Sequence, residues 1–288
     1  MEKENNQVSE KIYRALISRK IRAKAIPSEA TKELVLEKIK NKVSKNLPVK
    51  LLQAWGGCKN PNLPIDYAEL CDEATLNNLN RLNEEVVKIY KPGLMIYICP
   101  GDGRVQNVNK IPEDKTEKYV KTLTAIADRY DGLFSIIPVS VLYKKYSKDF
   151  LNCLVLAECI ATDVYNSAGF DELVSNAKNN IFYKDLESEK DIVERSRDAA
   201  RDYVIYRVAE EEAEIFRDFD DCIRAFFIKY APFYKKYIKD ITKTKPRLDC
   251  AVTFYTGKKG NITQPWQAVG RRRGEEVLFL SQKRLNKN

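Results

Sequence analysis

The pattern of apolar and polar positions alternates long stretches of helical period with short continuous apolar runs. In "SEKIYRALISRKIRAK", Ile12, Leu16 and Ile17 fall at helical spacing. In "SEATKELVLEKIKNKV", Leu34, Ile39 and Val43 do the same, with Ser28 at a cap position and Glu29 as the early acid. These stretches predict two helices within residues 1–46 that pack on a main domain. "LPVKLLQAW" predicts a strand, and "GGCKNPNLP" a loop rich in Gly, Asn and Pro. The next segment opens with Asp66 and carries Glu69 three residues on, a start resembling a capping box. Leu70, Leu76, Leu79, Leu82, Val86 and Ile89 then recur on one face, so a helix is expected up to Pro92-Gly93.

"LMIYIC" predicts a buried strand. "PEDKTEKYVKTLTAIADRY" predicts a helix with Tyr119, Leu123 and Ile126 inward and Asp131-Gly132 as its stop. "LFSIIPVSVLY" has β character, divided by Pro138 or placed partly at a sheet edge. Residues 151–240 are mainly helical in pattern, and the acidic run Glu210–Glu214 reads most simply as an exposed helix face. β character returns in "RLDCAVTFYT" and "EEVLFLS". Strands alternating with long helices predict an α/β fold. One domain over 47–288, with a helical insertion around 151–240, is the expected organisation.

Composition sharpens this picture. The chain has 288 residues, 44% of them hydrophobic and 32% charged, enough for a sizeable core. It contains no histidine at all. That excludes the Ser-His-Asp triad, the His-paired cysteine, the H-E-x-x-H metalloprotease and the facial-triad iron site. Proton transfer falls to Asp, Glu, Lys, Tyr, Cys or solvent, with pKa values moved by their surroundings. Seven cysteines, none spaced C-x-x-C, read as small buried hydrophobes of a reducing compartment, and without histidine a zinc site is a minor alternative. The charged opening "MEKENNQVSEK" lacks the apolar core of a secretory signal, and no apolar run reaches the roughly 20 residues that span a bilayer. A cytoplasmic protein without membrane partners is expected. The net charge of +9, concentrated toward both ends, predicts attraction to anions. The charge does not choose among phosphosugar, nucleotide, RNA and acidic protein, and a pair of solvated basic ends ranks above nucleic acid bound by the basic termini.

Three segments carry candidate chemistry. "YICPGDGRV" leaves the predicted strand through Gly101 and Gly103, with Asp102 as acceptor or base and Arg104 as a fork for phosphate or carboxylate. No Gly-Lys-Ser/Thr follows, and Gln106 stands where a dinucleotide fingerprint needs its third glycine. A tight turn with a surface Asp–Arg pair is the competing reading. Lys59 in "GGCKNPN" precedes a predicted helix start, a place suited to an oxyanion, though a solvated loop lysine is the commoner outcome. "RLDCAVTFYTGKKGNITQPWQAVGRRRG" brings Arg247 and Asp249, the basic turn with Lys258 and Lys259, and Trp266 as pocket wall or core. The turn could be a plain hairpin, and "RRRG" predicts a basic one.

In order and spacing these segments resemble the isonitrile synthase family, also called the pyoverdine/dityrosine biosynthesis family. The likeness covers roughly Leu51 to Ile126 and Arg195 to Leu280. It rests on the lysine loop, the "PIDYAE" helix start where the family shows Pro-Asp-x-x-Glu, the Tyr-x-Pro-Gly helix end, "DGRV", the Arg-Leu strand and the Pro-Trp pair. The resemblance implies a Rossmann-like mixed sheet flanked by helices, with no metal or nucleotide cofactor. It implies an enzyme of transferase or lyase type in secondary metabolism, joining the amine of an amino acid such as tyrosine or tryptophan to a phosphorylated ketose, ribulose 5-phosphate. Carried over by position, Asp102, Lys59 and Glu69 become the catalytic candidates. Arg104, Arg247, Lys258, Lys259, Asp66, Trp266 and Gln267 become the substrate-binding ones. The chain departs from the family where it shows histidine: Ala251 or Val252 stands in the Arg-Leu strand, and Gln267 follows Pro-Trp. A non-catalytic basic protein binding RNA or an acidic partner is the alternative from another class. Another transferase or lyase acting on a phosphorylated substrate is the lesser one.

Overall fold

The computed structural model describes residues 2–17, 29–56, 68, 70–165, 170–178, 181–225, 271–273 and 276–278. Two helices, α1 (Glu2–Leu16) and α2 (Glu29–Ser44), precede β1 (Val49–Trp55). Then follow α3 (Leu70–Val87), β2 (Leu94–Pro100), α4 (Asp102–Asn109), α5 (Glu113–Ala127) and β3 (Phe134–Ile136). The helical stretch comprises α6 (Val139–Lys145), α7 (Ser147–Tyr165), α8 (Phe170–Lys178) and α9 (Glu189–Glu212), and it leads to β4 (Ile223–Ala225). A basic hairpin pairs β5 (Arg271–Arg273) with β6 (Glu276–Leu278), as "RRRG" predicts.

The four strands β1 to β4 form one sheet in the order β3-β2-β1-β4, every neighbouring pair parallel. Such a sheet buries both faces, because the crossovers lay helices on each. Alternation along β1 and β2 sorts the core accordingly. Val49, Leu51, Trp55, Leu94, Ile96 and Ile98 pack with α1, α2, α3 and α5 on one side. Leu52 and Cys99 pack with α6, α7 and α9 on the other. Ile12, Leu16, Ile39, Leu76, Leu82, Tyr119 and Leu123 are fully buried in the first layer, which is why their spacing is readable in the sequence.

Two expectations are corrected. The apolar run after β3 is helix beyond Pro138, whose φ of −58° and ψ of 141° set the N-cap of α6. Packing of Val139 and Leu142 against α7 and α9 overrides their β propensity. The two glycines do not make a loop or hairpin, because α4 begins one residue after Gly101. The described part of 151–240 is mainly helical, as expected, and its short strand β4 joins the sheet beside β1. Asp66, Glu69 and "RLDCAVTFYT" lie outside the described residues.

Candidate functional site

The carboxyl ends of β1 and β2 share one edge of the sheet, joined by the Gly101 N–H donating to the Trp55 carbonyl at 3.1 Å. In parallel α/β sheets this is the edge at which ligands bind. The chain turns there from strand to helix within one residue, with the Val105 N–H closing onto the Gly101 carbonyl at 2.9 Å. Gly103 is required for packing rather than for its φ. A Cβ there would lie 3.0 Å from two Tyr143 ring carbons and 3.2 Å from the Ser140 Cα, so any side chain would need α6 to give by a few tenths of an ångström.

Asp102 is buried, and its carboxylate receives both the backbone N–H of Ser140, at 3.1 Å, and the Ser140 hydroxyl. It thereby satisfies a donor at the start of α6 that the helix itself leaves open. Arg104 points toward α9, where Glu210 is completely buried. The guanidinium Nε donates to Glu210 Oε1 at 2.7 Å and Nη2 donates to Oε2 at 3.1 Å, a two-pronged pair. The Tyr143 hydroxyl donates to Oε1 at 2.6 Å, and Arg207 Nη1 donates to Oε2 at 2.6 Å. Four donors thus fill the four acceptor positions of the carboxylate. Tyr143 is held in turn by stacking on Phe150, with centroids 4.1 Å apart and rings 10° from parallel.

The electrostatics keep Glu210 and Arg104 charged and Tyr143 neutral. Burial acts to raise the Glu210 carboxyl, but the Arg104 and Arg207 charges outweigh it and hold its pKa below the ordinary value. Burial, reinforced by the Glu210 charge, pushes the Tyr143 phenol well above its ordinary range. Burial disfavours the Arg104 cation, and the adjacent Glu210 more than restores it. Two cysteines near the sheet are excluded as nucleophiles, because burial raises the Cys99 and Cys222 thiols to about 12. Among the described residues no group of three or more His, Cys, Asp or Glu side chains could hold a metal.

One nitrogen of Arg104 remains. Nη1 makes no hydrogen bond among the described residues, and it lies 3.7 Å from the position a Cβ on Gly101 would take, beside the end of β2. The side chain as a whole is 21% exposed. On the opposite face, Trp55 Nε1 donates to the Tyr119 hydroxyl at 2.9 Å, which donates to the buried Asp72 at 2.7 Å. Gln53, two residues before Trp55, keeps a buried Oε1 without a partner among the described residues.

Of the sequence-predicted residues, the described part of the structure contains Asp102 and Arg104, and brings them to one strand-to-helix corner. Lys59, Asp66, Glu69, Arg247, Lys258, Lys259, Trp266 and Gln267 lie outside the described residues. Glu210, expected on an exposed face, is instead the buried hub of the site. Arg207, three residues earlier on the same helix, offers an i, i+3 partner but reaches Glu211 as well, so its spacing alone does not single out Glu210.

The solved crystal structure of the PvcA protein from Pseudomonas aeruginosa has the same fold, with a TM-score of 0.66 and 16% sequence identity, over 96% of this chain and 93% of that one. No protein of curated function matches the sequence. No described helix is long and apolar enough to cross a membrane. The model of the family described as pyoverdine/dityrosine biosynthesis protein matches residues 39–248, from α2 through the sheet and past β4, and the chain belongs to that family.

Proposed function

We propose that the protein is a biosynthetic enzyme of isonitrile synthase type, which couples the amine of an amino acid to a phosphorylated ketose such as ribulose 5-phosphate. The sheet order β3-β2-β1-β4, all parallel, supports a Rossmann-like reading of the fold. The observation that carries the proposal is the corner after β2, where a family motif presents one free prong of a locked arginine at the ligand edge of the sheet. In this reading Arg104 binds the anionic end of a substrate, and Asp102, two residues away, moves protons within reach of Ser140. Lys59 and Arg247, which come after β1 and β4 in the sequence, are proposed as the further cations of the set. Asp66, Glu69, Lys258, Lys259, Trp266 and Gln267 keep their proposed places around the substrates.

The test is incubation of the protein with ribulose 5-phosphate and, in turn, tyrosine and tryptophan, followed by mass spectrometry. An isonitrile product, or an amine–ketose adduct short of it, supports the reading. Neither product across a full panel of amino acids would overturn it.

A further inference from the structure

Helix α7 is apolar on more than one side. Phe150 and Ala157 are buried, and with the half-buried Cys153 and Leu154 they pack against residues of α9. Leu151, Val155 and Leu156 project elsewhere and are 59%, 65% and 67% exposed. A surface helix ordinarily turns charged and polar residues to its outer side.

Spacing gives this outer side a defined shape. Lys148, Leu151, Val155 and Glu158 follow one another at intervals of three, four and three residues, so they form one seam along the helix. All four are exposed. Nearby charges are taken up within the chain, Asp149 by Arg217 and Lys145 by Asp218. Lys148 and Glu158 make no ion pair among the described residues. The seam is complementary to itself when reversed. A two-fold axis midway between Leu151 and Val155 sets Leu151 against the partner's Val155 and Lys148 against the partner's Glu158. One axis serves both pairs, because both are centred on the same point of the helix. Parallel helices would instead oppose lysine to lysine and glutamate to glutamate.

We propose that the outer side of α7 is the surface through which two copies of this chain associate, as an antiparallel helix pair closed by two Lys148–Glu158 ion pairs. The proposal does not depend on the reaction. Two apolar layers are small beside a standard interface of about 800 Å² per partner, so the dimer is expected to form in the micromolar range or above.

The test is sedimentation equilibrium of the full chain from low to high micromolar concentration. The proteins are wild type, Leu151→Asp, Lys148→Glu, Glu158→Lys and the double variant Lys148→Glu/Glu158→Lys, each with its unfolding midpoint at the lowest concentration. Wild type is expected to show a monomer–dimer equilibrium. Leu151→Asp should weaken it about a hundredfold, and each single charge reversal about tenfold. Midpoints should not move, because the substituted side chains are exposed. The double variant should recover wild-type association, and so should an equimolar mixture of the two single reversals. Wild type that stays monomeric throughout overturns the proposal. If Leu151→Asp then lowers the midpoint, the face is covered within the chain; if the monomer sediments with phosphatidylglycerol vesicles, it is a lipid-binding face. A dimer that survives Leu151→Asp uses another surface, which also overturns the proposal. A dimer broken by the single reversals but not restored by the double variant rejects the antiparallel register, and the proposal with it.

Discussion

The two ends of the parallel sheet each carry a carboxylate held by two cations, and they behave differently because of depth. At the carboxyl end, Glu210 is fully buried and receives four hydrogen bonds from Arg104, Arg207 and Tyr143. At the amino end, Asp221 lies just before β4, and its Oδ2 receives Lys42 at 2.5 Å and Lys50 at 2.9 Å with its side chain 39% exposed. Lys38 adds hydrogen bonds to the carbonyls of Asp220 and Cys222. The first cluster uses planar, forked donors that fix geometry, whereas the second uses flexible ammonium groups that fix only charge. The amino end also opens into a cavity of about 700 Å³ whose lining includes Lys42, Lys50, Asn80 and Arg129. Charge with space around it is therefore present at the amino end, whereas of these two clusters of described residues it is the one at the carboxyl end that fixes the plane of its donors.

The largest expected effect separates the two clusters directly. Glu210→Gln leaves two largely buried guanidiniums facing a neutral amide. Removing one partner of a buried ionic network costs about 3–5 kcal/mol. Urea unfolding should show that loss, and a loss below about 1 kcal/mol would mean that water reaches Glu210. Gly103→Ala comes next. Its new methyl would press on the Tyr143 ring at 3.0 Å and on the Ser140 backbone at 3.2 Å, and overpacking of this kind costs about 1–3 kcal/mol. Displacing Tyr143 also disturbs the acceptor it fills on Glu210, so Gly103→Ala and Tyr143→Phe should be non-additive in a double-mutant cycle.

How far the sequence was readable follows the same division between patterned and solitary contacts. The helices facing the first core layer announce themselves, because residues such as Leu76, Leu79, Leu82 and Val86 repeat with the helical period and are all buried. The family's "DGRV" motif lies where β2 passes into α4. Its local structure was not legible, since α4 starts on two poor helix formers and depends on packing that lies far along the chain. Glu210 was invisible for a related reason. Within "VAEEEAE" it resembles its neighbours, and only the distant Arg104 and Tyr143 distinguish a buried carboxylate from an exposed one. The end of the β-like run at Pro138 was legible as a break but not as a helix start, because the partners of α6 are residues of α7 and α9.

A smaller effect tests the corner without touching the ion network. Asp102→Ala removes the acceptor for the Ser140 N–H at the start of α6. Loss of a cap of this kind costs about 1 kcal/mol. Asp102→Asn should recover part of it, since the amide oxygen can still accept. If Asp102 also moves protons, the asparagine variant will fold and bind yet turn over far more slowly, a split that a cap alone would not produce.

The smallest effect belongs to the amino end and differs in kind. Burial acts to raise the Asp221 carboxyl, but the hydrogen bonds and charges of Lys42 and Lys50 bring its pKa down from 3.8 to about 2. A group whose folded pKa is depressed stabilises the fold above its unfolded value and loses that contribution as pH falls through the folded one. The Asp221 contribution should therefore be present at neutral pH and fade between pH 3.8 and about 2. Because the cluster is partly solvated, its size is expected within roughly 0.2–1 kcal/mol. Asp221→Asn should flatten that acid limb of the stability curve, and added salt should shrink the difference between variant and wild type. The Glu210→Gln deficit should persist in the same salt series, since ions do not screen a fully buried carboxylate. If salt removed both deficits alike, the contrast in depth between the two clusters would not hold in solution, and the case for a preorganised arginine at the carboxyl end would lose its physical basis.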